Sequence, residues 1–142
     1  MKTLHFTIDI AAPARKVWDT MLQPDSYSEW TAEFSPGSTY EGSWEEGARI
    51  RFLSPSGDGI YSRIAVNRPH AFVSIEHLGE ISGGVDQPSS SWAGAFENYT
   101  LTEQPGGTRV QVDMDTTPDF EAYMQDAWPR ALAKLKTIVE RD

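Results

Sequence analysis

The chain has 142 residues, of which 39% are hydrophobic and 23% are charged, as in ordinary globular proteins. It contains no cysteine, which excludes disulfides, thiolate nucleophiles and zinc–thiolate sites. The net charge of −9 argues against nucleic acid and anionic membranes as partners. No apolar run approaches the ~20 residues of a membrane helix, and the alternating N-terminus is unlike a signal peptide. We therefore expect one domain, residues 1–142, located in the cytoplasm and not inserted in a membrane.

The first fifth of the chain predicts a strand followed by two short helices. Apolar and polar residues alternate over residues 4–10, which is typical of a half-buried strand. Pro13 then opens a helix, and Gln23-Pro24 ends it because the residue before a proline is pushed out of helical geometry. A second helix from Pro24 to about Ala32 would turn Tyr27 and Trp30 inward.

The middle of the chain predicts strands separated by turns. Sequential strands with short connections favour an antiparallel meander. Residues 79–93 are rich in Gly, Ser, Asp and Pro, which predicts a long loop that either covers a pocket as a lid or is a passive surface segment. The predicted strands are 38–41, 48–53, 60–66, 71–78, 94–103 and 108–115, with a hairpin turn at 104–107.

The last stretch, residues 117–142, predicts one long amphipathic helix. Its apolar residues recur at spacings of three and four, Thr117 is a candidate N-cap, and Pro118 suits the first helical position. Pro129 lies well inside this helix, where proline removes a hydrogen bond and clashes with the preceding turn. We expect a kink or two helical pieces at Pro129. The first part would lie over a pocket, and the part after Pro129 would pack on the sheet.

This element order predicts an α+β, helix-grip fold. A curved antiparallel sheet of about six to seven strands would wrap around the long C-terminal helix, and the two short helices would close one end. Such an arrangement leaves space between the helix and the sheet.

Several segments, in this order along the chain, carry a family resemblance: 10–18 (IAAPARKVW), Trp30, 40–44 (YEGSW) with Gly47, 97–101 (ENYTL) and 128–136 (WPRALAKLK). Together they resemble the SRPBCC (START-like, helix-grip) superfamily, and most closely its homologues of the activator of heat-shock protein 90 ATPase (C-terminal domain type). The resemblance implies a hydrophobic pocket, which in this superfamily serves lipid transfer, hormone and polyketide binding, cyclisation and chaperone stimulation.

Polar candidates for the pocket lie on two predicted strands. Glu97 and Tyr99 are two residues apart and share a strand face, so both point inward if Leu101 does. His77 alternates with apolar neighbours and can also face inward. Glu97 then orients a ligand or moves a proton, or it forms an ion pair with Arg63. A lone inward histidine is either a hydrogen-bonded core residue or part of the site.

Large apolar side chains are the other candidates. Trp30 ends the second helix and Trp92 closes the polar loop, which makes both suitable pocket walls. Tyr123, Met124 and Trp128 lie on the part of the last helix expected over the pocket. Core packing is the competing interpretation for the tryptophans.

No motif predicts a cofactor, a metal or a catalytic triad. The histidines lack metal-ligand spacing, and the glycine-rich loop lacks the lysine and following helix of a phosphate-binding loop. The leading hypothesis is a module that binds a hydrophobic or amphipathic small molecule, as a monomer or homodimer. The alternatives are a cyclase- or hydratase-type enzyme with Glu97 or His77 as general acid or base, and a co-chaperone-like adaptor.

Overall fold

The computed structural model describes residues 1–87 and 93–141, which form three helices and eight strands. The long helix lies at the C-terminal end, and the two short helices follow the first strand. In chain order the elements are β1 (Lys2–Ile10), α1 (Ala14–Leu22), α2 (Pro24–Thr31), β2 (Thr39–Gly42), β3 (Arg49–Leu53), β4 (Gly59–Arg68), β5 (Phe72–Ser82), β6 (Val85–Asp86), β7 (Phe96–Gln104), β8 (Gly107–Thr116) and α3 (Pro118–Glu140).

All strand pairs are antiparallel, and the sheet order is β1-β8-β7-β5-β4-β3-β2, with β6 attached to β5. The α+β helix-grip prediction is confirmed. The sheet has eight strands instead of six to seven, because the short β6 lies in a segment that the sequence predicted as loop. One face of the sheet carries the alternating apolar residues that form the core with the helices.

The two short helices form as predicted, and a single residue separates them. Gln23 has extended backbone geometry, donates its N–H to the carbonyl of Asp19 in α1 and accepts the N–H of Tyr27 in α2. Pro24 occupies the first turn of α2, where its missing N–H has no intrahelical partner to lose. Trp30 then donates its indole N–H to the carbonyl of Met21 at 3.1 Å, which fixes α2 against α1.

The C-terminal helix α3 is one continuous element through Pro129, so the expectation of two helical pieces is wrong; the kink stays a prediction. Thr117 occupies the N-cap position, but its side chain makes no capping hydrogen bond. The buried residues of α3 all lie in its second part: Ala127, Trp128, Ala131, Leu132, Leu135, Ile138 and Val139. The first part of α3 therefore stands away from the sheet, as its sequence predicted.

The end of α3 is held to the end of β1. The side-chain oxygen of Glu140 accepts the N–H of Ala11 at 2.7 Å, and Lys136 donates to the carbonyl of Asp9 at 2.9 Å. The Ala11 N–H, followed by Lys136, lowers the pKa of Glu140. These contacts anchor the helix at the end opposite to its first turns.

The predicted loop 79–93 is wrong at its start, because β5 continues to Ser82. Gly79 lies inside this strand, where an added Cβ would come within 2.4 Å of the Tyr61 hydroxyl oxygen, so the ring of Tyr61 occupies the space of a side chain. Gly83 and Gly84 then turn the chain into β6, and both have the positive φ that a tight hairpin requires. The expectation of a lid falls partly on residues 88–92, outside the described residues.

We expect Pro129→Ala to stabilise the protein, since Pro129 is exposed and interrupts the hydrogen-bond ladder of α3. The alanine N–H would restore the bond to the carbonyl of Gln125, and the free energy of unfolding should rise by up to about 3 kcal/mol. Urea unfolding measures this change. Gln125→Ala is the matched control at an exposed position one turn earlier, and it should change stability little. An unchanged or lowered stability of the Pro129 variant would contradict the prediction.

Candidate functional site

A cavity lies between the first part of α3 and the inner face of the sheet, and it has two lobes. The aromatic lobe encloses about 350 Å³ and the acidic lobe about 340 Å³. The two lobes meet because they share six lining residues: Asp58, Gly59, Ile60, His77, Glu97 and Met124. Both volumes fall in the range of small-molecule sites.

Rings from the helices, the sheet and the segment after α2 wall the aromatic lobe. Trp128 is central to this wall, since its ring centroid lies 4.8 Å from that of Phe34, 6.0 Å from that of Trp30 and 6.1 Å from that of Tyr99. The aromatic residues that line the lobe are Tyr27, Trp30, Phe34, Phe52, Tyr99, Tyr123 and Trp128. The lobe therefore offers broad, flat apolar surfaces.

Residues of β4, β5, β7 and β8 and of the start of α3 line the acidic lobe. Its apolar wall includes Ile81, Ala95, Met114 and Phe120. Its polar wall carries four carboxylates: Asp58, Glu80, Glu97 and Asp115. Asp58 and Glu80 are exposed, whereas Glu97 is only 19% exposed at its side chain.

A chain of hydrogen bonds, which we call the polar row, runs along the cavity wall through Ser62, His77, Glu97 and Tyr99. The Ser62 hydroxyl lies 2.8 Å from His77 Nδ1, and His77 Nε2 lies 3.2 Å from Glu97 Oε1. The Tyr99 hydroxyl donates to Glu97 Oε2. His77, Glu97 and Tyr99 line the cavity, whereas Ser62 is fully buried behind them.

Strand register brings these residues together. Ser62 on β4 is the cross-strand partner of His77 on β5, and both are buried. Glu97 on β7 pairs with Ile75, two residues before His77, so the two side chains lie on the same face. Tyr99 follows Glu97 at the next inward position. Alternation along three strands thus forms the polar row.

The cavity environment keeps two tyrosine hydroxyls protonated. Burial, followed by the charge of Glu97, raises the pKa of Tyr99 well above its usual value of 10.0. The same two causes raise the pKa of Tyr27. Tyr99 is therefore a hydrogen-bond donor to Glu97 at every pH at which the protein is expected to work.

The sequence-based site residues gather at the aromatic lobe. Seven of the eight line it: Trp30, His77, Glu97, Tyr99, Tyr123, Met124 and Trp128. Trp92 lies outside the described residues. Their part in ligand binding stays a prediction.

One of the alternatives for Glu97, an ion pair with Arg63, is wrong. Arg63 pairs with Glu76 at 2.8 Å, its cross-strand neighbour, and leaves Glu97 to His77 and Tyr99. The sequence predicted no catalytic triad, and Ser62 is hydrogen-bonded to His77 inside the wall. Because Ser62 is 0% exposed, its hydroxyl orients the imidazole and is out of reach of a substrate.

Sequence reasoning missed Ser62 and several walls of the cavity, including Phe34, Phe52 and Glu80. Ser62 alternates with Ile60 and Ile64, a pattern that could have marked it as inward. Its pairing with His77 depends on the register shift between Ile64 and Val66, which no local pattern reveals.

Within residues 1–87 and 93–141, no group of three His, Asp or Glu side chains could hold a metal ion. In the same residues, no helix has both the length and the apolar character needed to cross a membrane.

We expect the free energy of unfolding to fall above about pH 10. There the unfolded chain loses the protons of Tyr27 and Tyr99 while the folded chain keeps them, so the unfolded state binds fewer protons and gains stability. The loss should approach about 1.4 kcal/mol per pH unit for each hydroxyl. Urea unfolding between pH 9 and 11, with tyrosinate absorbance at 295 nm, measures it. A folded protein in which all five tyrosines ionise together near pH 10 would contradict this expectation.

Comparison with known proteins supports the fold. The crystal structure of protein MLL2253 from Mesorhizobium loti superposes with a TM-score of 0.75 at 20% identity, covering 99% of this chain and 98% of that one. The solution structure of the Aha1 dimer from Colwellia psychrerythraea gives 0.75 at 22% identity, with 99% and 97% covered. DynU16, a protein in the dynemicin biosynthetic locus, gives 0.75 at 16% identity, and the chain spans 48% of its length.

None of the curated proteins compared with the chain matches it. A family model described as "Activator of Hsp90 ATPase homolog 1-like protein" does match, over residues 11–140. This match covers most of the chain and confirms the resemblance derived from the sequence segments. The chain belongs to the family of activator of Hsp90 ATPase homolog 1-like proteins.

Proposed function

We propose that the protein binds a hydrophobic or amphipathic small molecule in the cavity between α3 and the sheet. One observation carries this proposal: an aromatic lobe of about 350 Å³ that has a polar row on its wall. A helix that packed flush on the sheet would have left no such space. Sites of this kind combine apolar walls for affinity with a few polar groups for orientation.

The aromatic walls would supply most of the binding energy. Trp30, Tyr99 and Trp128 are at most 3% exposed, so their rings are held in place by packing and do not have to be ordered on binding. Burial of apolar ligand surface against them contributes about 25 cal/mol per Å². A flat or branched apolar body fits this lobe best.

The polar row would set the orientation of the ligand. His77 and Tyr99 hold the carboxyl group of Glu97 from two sides, so its position is fixed before a ligand arrives. A ligand whose polar atom meets Glu97 keeps its hydrogen bonds when it leaves water, whereas an apolar group at that point would leave the carboxylate uncompensated.

Catalysis is the second candidate, because Ser62, His77 and Glu97 form a hydrogen-bonded series at a cavity wall. Such a series can orient an imidazole and transfer a proton to or from a substrate. In this alternative the protein is a cyclase- or hydratase-type enzyme, with Glu97 or His77 as the general acid or base.

An adaptor role has weaker support. Among the described residues, the large exposed apolar side chains are Met1, Val85, Phe120 and Tyr123. Phe120 and Tyr123 are cavity-lining residues on the first turns of α3, so they suit ligand entry better than a separate protein contact. The Colwellia Aha1 structure is a dimer, and a homodimer in the cytoplasm is the corresponding proposal for this chain.

We expect the neutral fluorescent probe N-phenyl-1-naphthylamine to bind at one site per chain with enhanced emission. Ile60 lines both lobes, and Ile60→Trp should fill the junction and abolish binding. Val85→Trp adds the same ring at a position that is 62% exposed, outside both lobes, and should bind as the wild type does. Fluorescence titration measures both, with circular dichroism to verify folding. Equal binding by the two variants would contradict the proposal.

Binding and catalysis can be separated by mass spectrometry. Native mass spectrometry of protein purified from its own cells should reveal a bound small molecule. The purified protein is then incubated with a metabolite extract. A binding protein leaves all masses unchanged, whereas an enzyme depletes a substrate in a reaction that Glu97→Gln abolishes. Depletion that requires Glu97 would replace the binding proposal with the catalytic one.

A further inference from the structure

We propose that the ligand of this cavity is an organic cation: a protonated amine carried on a flat apolar body, with the nitrogen at Glu97. This inference rests on the proposed function, because it names the chemical class of the molecule that the same cavity binds.

The charges on the cavity wall have a single sign. The described lining of the two lobes contains four carboxylates, namely Asp58, Glu80, Glu97 and Asp115, and neither lysine nor arginine. The imidazole of His77 is the remaining ionisable nitrogen base on this lining. The walls therefore favour positive charge in the cavity and oppose negative charge.

Glu97 is the carboxylate best placed to bind such a cation. It belongs to both lobes, and its side chain is 19% exposed, so water screens it less than it screens Asp58 or Glu80 at the rim. Its charge contributes to the raised pKa of both Tyr27 and Tyr99, so its field extends into the aromatic lobe.

Glu97 also retains hydrogen-bonding capacity. His77 bonds to Oε1 and Tyr99 to Oε2, one partner for each oxygen. A carboxylate has about four acceptor positions. An ammonium group has three donors and can bond to Glu97 without displacing either partner.

The rings of the aromatic lobe add a second attraction for a cation. Tyr99 lies next to Glu97 on β7, and Trp128 lies 6.1 Å from Tyr99 between ring centroids. The negative face of an aromatic ring attracts a desolvated ammonium group, and tryptophan does so most strongly. The same rings pack against the apolar body of the ligand.

The same carboxylates disfavour an anionic ligand. A carboxylate placed at the junction of the lobes would lose its water next to Glu97, and the described lining offers no lysine or arginine to pair with it. A fatty acid or another carboxylate is therefore a poor ligand at this point. The affinity of a neutral alcohol should lie between those of the amine and the acid.

The test uses three ligands with one apolar body: 2-(2-naphthyl)ethylamine, 2-(2-naphthyl)ethanol and 2-naphthylacetate. Isothermal titration at pH 7.5 and physiological salt should show the amine binding about tenfold tighter than the alcohol or better, with the acid weakest. Glu97→Gln keeps the shape of the side chain and removes its charge, so the amine should fall to the affinity of the alcohol. Glu103→Gln, an exposed change on the same strand, makes the same change in net charge and should leave the preference intact.

The outcomes separate this inference from the proposed function. If the alcohol or the acid binds as tightly as the amine, or if the preference survives Glu97→Gln, the cation inference is overturned while ligand binding stands. The inference is also overturned if N-phenyl-1-naphthylamine binds and the amine does not. If neither the probe nor any of the three ligands binds, the proposed function itself fails. Should Glu97→Gln not fold, the order of the three ligands on the wild-type protein decides.

Discussion

Packing of α3 on the sheet is the contact on which the cavity depends. Only the second part of the helix, from Ala127 onward, is buried, and Glu140 and Lys136 tie its end to the end of β1. The first part therefore projects over the sheet without filling the space beneath it. Trp128 lies where α3 passes from its cavity-facing part to its buried part. Its ring packs against the core on one side and forms a wall of the aromatic lobe on the other. A helix buried along its whole length would leave no room for a ligand.

The polar row is the second constraint, because polar groups in an apolar wall must find partners there. Ser62 supports His77 from behind, while His77 and Tyr99 hold Glu97 from two sides. The hydrogen bonds of the polar row are thus made within the protein. A carboxylate held in this way can bind a ligand without first being reorganised, which favours affinity and also suits proton transfer.

Much of the fold and part of the site could be predicted, because both follow from residue periodicity. Alternation on the predicted strands correctly turned His77, Glu97 and Tyr99 inward, and helical spacing placed Met124 and Trp128 over the cavity. What failed depended on contacts between distant strands. Gly79 contributed to the prediction of a loop. Its place in β5 is explained by the ring of Tyr61, which packs against it, and this contact between strands cannot be read from the sequence. Ser62 was missed because its pairing with His77 requires the register shift between Ile64 and Val66.

The inward positions of the strands have an evolutionary consequence. Ser62, His77 and Glu97 lie on three neighbouring strands whose backbone hydrogen bonds do not depend on the side chains they carry. A substitution at one of these positions changes the polar groups on the cavity wall without removing a backbone hydrogen bond of the ladder. Protein MLL2253 keeps the same architecture at 20% identity, with a TM-score of 0.75. The backbone architecture therefore persists while about four fifths of the side chains differ.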